Sequence, residues 1–422
     1  MLPRESDPQP ADGSALTKNT PPFVFFFLHM CTAWPVGVVS LAVGNRLVSS
    51  GVSVQQTAGI VTAAFLPFSF EFLWAPMVDA SWNRRGWFVL GAVVMSTCLA
   101  ALIVAPWNSG SVSLMTTLAF CSCTGAAIAA VAVKGLMAYQ VQTTKLGAAS
   151  GFYTAGGTFA KAVAGAGTLG LLTHFADRFL VATLSIGAAV LAATAILRVP
   201  PSLSTPFNQL PAKLLAALVD LWRFLRTRNG ALIALLCVIP FGAGSEAGLI
   251  GAIAREWSVT PSQLAAFGTL SVITGIFGAL FSGWLSTRIG SWRTYLVLGW
   301  MLIAIMLTLR FAPRTATYFL SLEQLYRATS AGCYAALLGI VMRAIGTGAA
   351  STKAAALWSL ANFANAYPTA IEGAVHDRSG TSAMLLADAG LGAIGFGLLM
   401  LATRLLAARA DGTTVKTASR RL

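Results

Sequence analysis

Along this 422-residue chain, apolar residues come in blocks near twenty residues long, bounded by Gly, Pro and charged residues. A block of that length crosses roughly 30 Å of bilayer hydrocarbon as a helix. The blocks predict twelve spans, at 22–43, 56–76, 86–106, 112–137, 147–172, 179–198, 230–253, 262–285, 292–312, 317–342, 351–373 and 382–405. Only helices and closed barrels satisfy every backbone polar group inside lipid, so blocks of this length predict an all-α polytopic membrane protein.

Composition strengthens that reading. The chain is 56% hydrophobic and 10% charged, where soluble proteins carry about a quarter charged residues, and a water-soluble fold cannot hide so much apolar surface. No short apolar segment ending in a small-residue cleavage site precedes the first span, so no cleaved signal peptide is expected. The six cysteines all fall within apolar segments and read as small hydrophobes rather than as metal ligands.

The net charge of +14 follows from topology. With the N-terminus placed in the cytoplasm, the cytoplasmic segments hold 19 of the 28 Lys and Arg residues, the opposite side holds 6, and Lys134, Lys161 and Arg327 lie within spans. This positive-inside bias predicts a multi-pass protein of the cytoplasmic (inner) membrane with both termini cytoplasmic. It also removes the reason to expect a nucleic-acid partner. Five segments result: a polar cytoplasmic tail (1–21), an N-terminal six-helix half (22–199), a cytoplasmic linker (200–229), a C-terminal six-helix half (230–405) and a basic cytoplasmic tail (406–422). The linker contains LLAALVDLWRFLR, an amphipathic stretch expected to lie on the inner membrane surface.

A faint repeat relates the halves. Asp79, Arg84 and Arg85 follow the second span and GWLSTRIGSWR follows the eighth; Thr287 stands 208 residues after Asp79, and the first and seventh spans start 208 residues apart. Two six-helix halves related along the membrane normal describe the major facilitator fold, with substrate sites near the midplane between halves.

The residues Phe72, Leu73, Trp74, Ala75, Pro76 and Asp79 are similar to the motif that ends the second span in the AmpG-like, peptide/acetyl-coenzyme A transporter group of the major facilitator superfamily. The Gly-rich eighth span, Glu323 and Gly332 in the tenth, and the segment 351–377 resemble the same group more loosely. The resemblance implies uptake of an organic solute, with muropeptides, siderophore chelates and acyl thioesters as implied substrates. Two charges are inverted. Glu71 stands where the group has lysine, and Ala130 and Lys134 stand where it has two acids. AmpG proper resembles this chain with extra spans added, which points toward shorter relatives such as siderophore permeases.

Glu71 lies eight residues from Asp79, about 12 Å into the bilayer, and Lys134 lies at roughly 14 Å by the same helical rise. A lone charge at that depth costs at least about 2.5–3.5 kcal/mol, so the two are expected to pair. Glu323 and Arg327, at i and i+4, are expected to neutralise each other. Lys134, Lys161 and Arg327 together predict a basic cavity suited to a carboxylate or phosphate. Tyr139, Tyr153, Tyr334, Trp358, Asn362 and Asn365 are further candidate substrate contacts, and His29, Trp34 and Gln140 fall at a similar depth. Glu71, Glu246 and Glu323 are the candidate proton-coupling groups, with Glu372 and Asp388 behind them. Asp79, Arg84 and Arg85 are candidate gate residues that complement helix dipoles between the halves.

No HExxH, GxSxG or phosphate-binding Gly-rich loop occurs, and the chain is not expected to be an enzyme or to hold a cofactor or metal. It is expected to act as a monomer, with a small-molecule substrate, protons and the lipid bilayer as partners. Proton-coupled uptake of an anionic organic molecule is the leading reading. Efflux of organic compounds and a non-transporting receptor on a transporter fold remain the alternatives.

Overall fold

The computed structural model describes residues 20–200, 209–239, 253–346 and 348–418. Among these residues all regular structure is helical. We number the α-helices α1 (Val24–Ser49), α2 (Val54–Ser69), α3 (Ala75–Ala80), α4 (Arg84–Val104), α5 (Val112–Gln140), α6 (Leu146–His174) and α7 (Arg178–Ala193) in the first half. The linker helix α8 (Leu210–Arg226) leads to α9 (Arg228–Val238), α10 (Pro261–Ile289), α11 (Ser291–Phe311), α12 (Ala316–Ala344) and α13 (Ala350–Ala418). α13 contains two arms divided at Gly380, whose φ of 78° reverses the chain between the eleventh and twelfth spans.

Side-chain caps set several helix starts. Ser53, Asn83, Asp177 and Thr227 each accept a backbone N–H from the first turn, and Thr260 with Gln263 forms a capping box. Each satisfies a donor that helix geometry leaves unpaired.

Two spans differ from the expectation. The first runs to Ser49, not 43, through a π-helical segment Val38–Val43, so Arg46 belongs to the helix and donates to the Leu172 carbonyl at 3.1 Å. The second is not one continuous helix: α2 and α3 meet at a 43° bend across the short 3₁₀ turn Glu71–Leu73. Pro67 and Pro76 flank that turn, and each lacks the N–H that a regular helix would need there. The C-terminal residues expected as a tail from 406 continue α13 as helix to Ala418.

Large apolar side chains such as Phe179, Leu191 and Phe277 are exposed around the outside, as lipid contact requires. Within the first half α1 packs on α6, and α4 on α5 and α7; in the second α12 packs on α10 and α11, and α13 on α9 and α11. The halves meet where α6 lies against α10 and α12, and where α3 and α5 lie against α13. Where the N-terminal part of α6 meets the C-terminal part of α10 the seam is backbone on backbone. A Cβ placed on Gly151 would stand 2.8 Å from the Gly283 Cα and the Ala279 carbonyl oxygen.

Candidate functional site: a buried ion pair and a clasp between the halves

The bend between α2 and α3 turns Glu71 inward toward α5, where Lys134 occupies the middle of a long buried face. Lys134 Nζ donates to Glu71 Oε2, and both residues are 1% exposed. Burying two charges is tolerable only when each satisfies the other. A third group helps here, since the Trp358 ring lies 5.5 Å from the ammonium and its π face attracts a cation. Tyr334 packs edge-on to Trp358 with ring centroids 4.7 Å apart. One turn further along α13, Asn362 Nδ2 donates to the Phe68 carbonyl at 3.1 Å, one of the last-turn carbonyls of α2 that have no helical partner. The site therefore joins α2, α3 and α5 of one half to α12 and α13 of the other.

On the α1–α6 side of this centre the rings of His29 and Tyr153 stack, 3.6 Å apart and 9° from parallel. His29 Nδ1 lies 2.6 Å from the Tyr153 carbonyl, which assigns the proton to Nδ1 and leaves Nε2 as an acceptor. Gly157 makes the stack possible, because a Cβ there would fall 2.3 Å from the imidazole.

At the N-terminus of α13 a second group of charges ties the halves together. Asp79, at the end of α3, accepts from Arg84 Nη2 at 2.6 Å, from the Ser351 N–H at 3.3 Å, and from the Thr352 N–H and Oγ1 at 2.7 and 2.9 Å. It thus caps the N-terminus of α13, where free N–H groups and the helix dipole favour a carboxylate. Arg84 also donates to Ser351 Oγ and stacks over the Tyr139 ring at 4.1 Å, while Tyr139 Oη donates to the Gly348 carbonyl.

The linker adds another carboxylate. Asp220 Oδ2 of α8 accepts from the Ala349 N–H at 2.8 Å and from Lys353 Nζ at 2.9 Å. Partial burial raises its carboxyl, but the Lys353 ammonium, the Ala349 N–H and nearby Arg223 outweigh that and hold it below the usual carboxylate range. Arg343 donates to the Thr143 carbonyl at 3.4 Å across the same end.

Two six-helix halves, a broken second span and an Asp-Arg clasp on the eleventh span now stand together, and the major facilitator superfamily description matches residues 25–371. The chain belongs to the major facilitator superfamily. No curated protein matches this facilitator in sequence. Similar solved structures include the human organic anion transporter MFSD10 (TETRAN), 16% identical with a TM-score of 0.67 over 90% of this chain and 99% of that one. The E. coli fucose:proton symporter FucP is 14% identical with a TM-score of 0.70 over 90% and 97%. A bacterial homologue of the iron transporter ferroportin in an outward-facing state is 14% identical with a TM-score of 0.67 over 91% and 98%. At these identities the likeness is one of fold.

Several predicted site residues of the facilitator stand elsewhere than expected. Tyr139 takes part in the clasp, because α5 continues to Gln140 and carries it to the N-terminus of α13. Lys161 is exposed, fifteen residues along α6 from Leu146, about 22 Å up the helix. Glu323 is fully buried. Arg327, one turn further along α12, has its Nε buried as well. Arg85 is half-buried and takes no part in the described clasp contacts. Glu246 and the side chain of Asn365 lie outside the described residues. Thr287, the repeat counterpart of Asp79, is exposed and donates to the Trp284 carbonyl of its own helix.

Sequence reasoning did not find Asp220, Lys353, Ser351 or Thr352 as clasp members. Asp220 was detectable, as the one acid on the amphipathic linker helix. Among the described residues no group of three or more His, Cys, Asp or Glu side chains is disposed to hold a metal ion.

Proposed function

We propose that this facilitator is a secondary active transporter of the cytoplasmic membrane that takes up an anionic organic solute together with protons by alternating access. The observation that carries the reading is the Glu71–Lys134 pair, 1% exposed and held between the halves beneath Trp358. A buried cation whose one counter-charge among the described residues is a carboxylate is a reversible anion site. When Glu71 takes a proton, the Lys134 ammonium loses its counter-charge and keeps only a neutral acceptor, and a solute carboxylate becomes the better partner for it. When the solute leaves, Glu71 gives up its proton and returns to Lys134. Solute and proton thus bind together, and the loaded and empty centres carry the same net charge, which lets the halves rock across it without exposing a bare ion to lipid.

The clasp supplies the other element. Its contacts lie at the cytoplasmic ends of the helices, so closing it opposes access from that side, and releasing Asp79 from the α13 N-terminus opens it. Asp79 and Arg84 act as the gate in this reading, with Arg85 as their basic neighbour; Tyr153, Tyr334, Trp358 and Asn362 line the path, and Asn365 is a further candidate contact. Lys161 and Arg327 draw the anion in, and Glu246 and Glu323 are further groups able to carry the proton. One chain in the bilayer, with both termini cytoplasmic, suffices for the cycle. The similar structures of an organic anion transporter and a proton symporter support this class. The AmpG-like resemblance of residues 72–79 directs the choice of solute to siderophore chelates and muropeptides. Uptake by cells challenged with a protonophore tests the coupling: it should stop, and undiminished uptake with the proton gradient collapsed would overturn it.

A further inference from the structure

The linker helix α8 has two faces with different obligations. Its inward stripe, with Ala217 buried and Asp220, Leu221 and Phe224 half-buried, packs on α3, α9 and the start of α13. Through Asp220 that stripe holds the Ala349 N–H and Lys353, and Lys353 also lies 5.6 Å from the Phe224 ring. Asp220 and Asp79 therefore grip adjacent residues of one helix N-terminus, one from the linker and one from the first half.

The outward stripe is apolar and bare. Leu215 and Trp222 are 64% and 62% exposed, Leu218 and Val219 lie between them, and the helix ends in exposed Arg223 and Arg226. Arg226 stacks on Trp222 at 6.0 Å, so the cationic end adjoins the apolar face. Two residues later α9 starts its path into the membrane at Arg228, which places α8 at the cytoplasmic lipid surface. An apolar stripe edged by arginines matches acyl chains below and anionic headgroups above.

We infer that α8 is a membrane-surface sensor: its outward face binds anionic lipid of the cytoplasmic leaflet, and that attachment holds Asp220 on α13 and so biases the cytoplasmic end toward closure. Anchoring α8 at the leaflet fixes the linker relative to the first half, and Asp220 transmits that position to the second half. Each arginine near an anionic surface contributes a factor of about five in association, enough for the lipid charge to shift the clasp equilibrium. The inference rests on the alternating-access reading only in taking clasp release as the opening step.

The test uses the full chain in vesicles of phosphatidylcholine, with or without phosphatidylglycerol, and no solute. Spin labels at Thr144→Cys and Thr287→Cys, both exposed at the cytoplasmic ends of opposite halves, report the opening, with Cys98→Ser and Cys121→Ser removing the half-buried native thiols. Phosphatidylglycerol should enrich the short-distance population severalfold in the parent protein. Arg223→Gln/Arg226→Gln should give the neutral-lipid distribution in both vesicles, and Asp220→Asn should lose the response while a label on α8 still reports lipid immersion. A parent distribution indifferent to lipid charge, or an undiminished response in the double arginine variant, overturns the inference. A label on α8 that stays in water would assign the stripe to a protein partner and overturn it equally. Asp79→Asn separates the two ideas: if it opens the cytoplasmic end while lipid does not act, only the sensor falls; if it opens nothing, the gate reading falls with it.

Discussion

Replacing Lys134 with Met keeps an unbranched stem in the slot beneath Trp358 but leaves the Glu71 carboxylate without its counter-charge at 1% exposure. Removing one member of a buried pair costs roughly 3–5 kcal/mol. An independent route gives a similar size, since holding an ordinary carboxyl protonated at pH 7 costs about 3.7 kcal/mol. Glu71→Gln strands the ammonium in the same way, although its contact with Trp358 offsets about 1 kcal/mol. In the double variant neither charge remains, and the residual cost is that of one poorly satisfied amide, about 1–3 kcal/mol. The two substitutions should therefore couple by at least about 2 kcal/mol.

Thermal unfolding in detergent, followed by a thiol-reactive dye, reads this directly because Cys31, Cys123, Cys237 and Cys333 are buried and react only when the core opens. Each single variant should melt well below the parent, and the double variant should recover most of the loss. The sign of the pH effect is fixed too. The folded Lys134→Met protein carries a proton on Glu71 that its unfolded chain has released, so acid favours the fold. Its deficit should shrink by about 1.4 kcal/mol per unit as the pH is lowered from 7 toward 5. Additive single effects, or a deficit unchanged with pH, would refute the pairing energetics.

Other consequences are as specific. Asp79→Asn weakens the cap on α13 and removes the Arg84 ion pair; a loss of about 1–2 kcal/mol, or five- to thirtyfold in the closed-to-open ratio, should appear as increased modification of a cysteine introduced at Ser286, buried in the seam between α6 and α10. Gly151→Leu drives a side chain into the Gly283 backbone, and the overpacking, about 1–3 kcal/mol, should push apart the same labelled cytoplasmic ends and slow solute exchange. Asp220, held below the ordinary carboxylate range, contributes its full hold on α13 above that range and loses it only as pH falls through its own lowered value. The difference in label distance between the parent and Asp220→Asn should therefore stay constant from pH 8 to about 5, and a difference that titrates within that window would contradict the assignment. Gly157→Ala should displace His29 from Tyr153, visible as a shift of the His29 ring resonances, and lower transport without changing the clasp distance.

The spans were legible because lipid forces each backbone to satisfy itself, which turns a fold into blocks of hydropathy. The central pair was legible for a related reason: two charges at matching depth have nowhere else to go. The break at Glu71 was not, because Pro67 and Pro76 announce a disturbed helix without saying which turn tightens. The partners of Asp79 were hidden in another way. Asp79 binds backbone N–H groups of Ser351 and Thr352, and a helix N-terminus as acceptor of charge carries no residue signature of its own. The place of Tyr139 turned on the boundary of one helix, since extending α5 to Gln140 brings the side chain to the clasp. Asp220 marks where pattern and tertiary contact overlap: its solitary place on an amphipathic helix is visible in the sequence, but its destination on α13 is not.

The account stands most directly on what Glu71 does in transport. Purified protein in vesicles with an inward proton gradient and no ATP is offered an iron-loaded carboxylate chelate and a labelled muramyl peptide, with pyranine inside to report proton entry. The parent should concentrate one of these anions and acidify the interior as it does so. Glu71→Gln, which leaves Lys134 permanently available, should still exchange labelled for unlabelled solute but accumulate none against its gradient. Gradient-driven accumulation by Glu71→Gln equal to that of the parent would contradict the central claim.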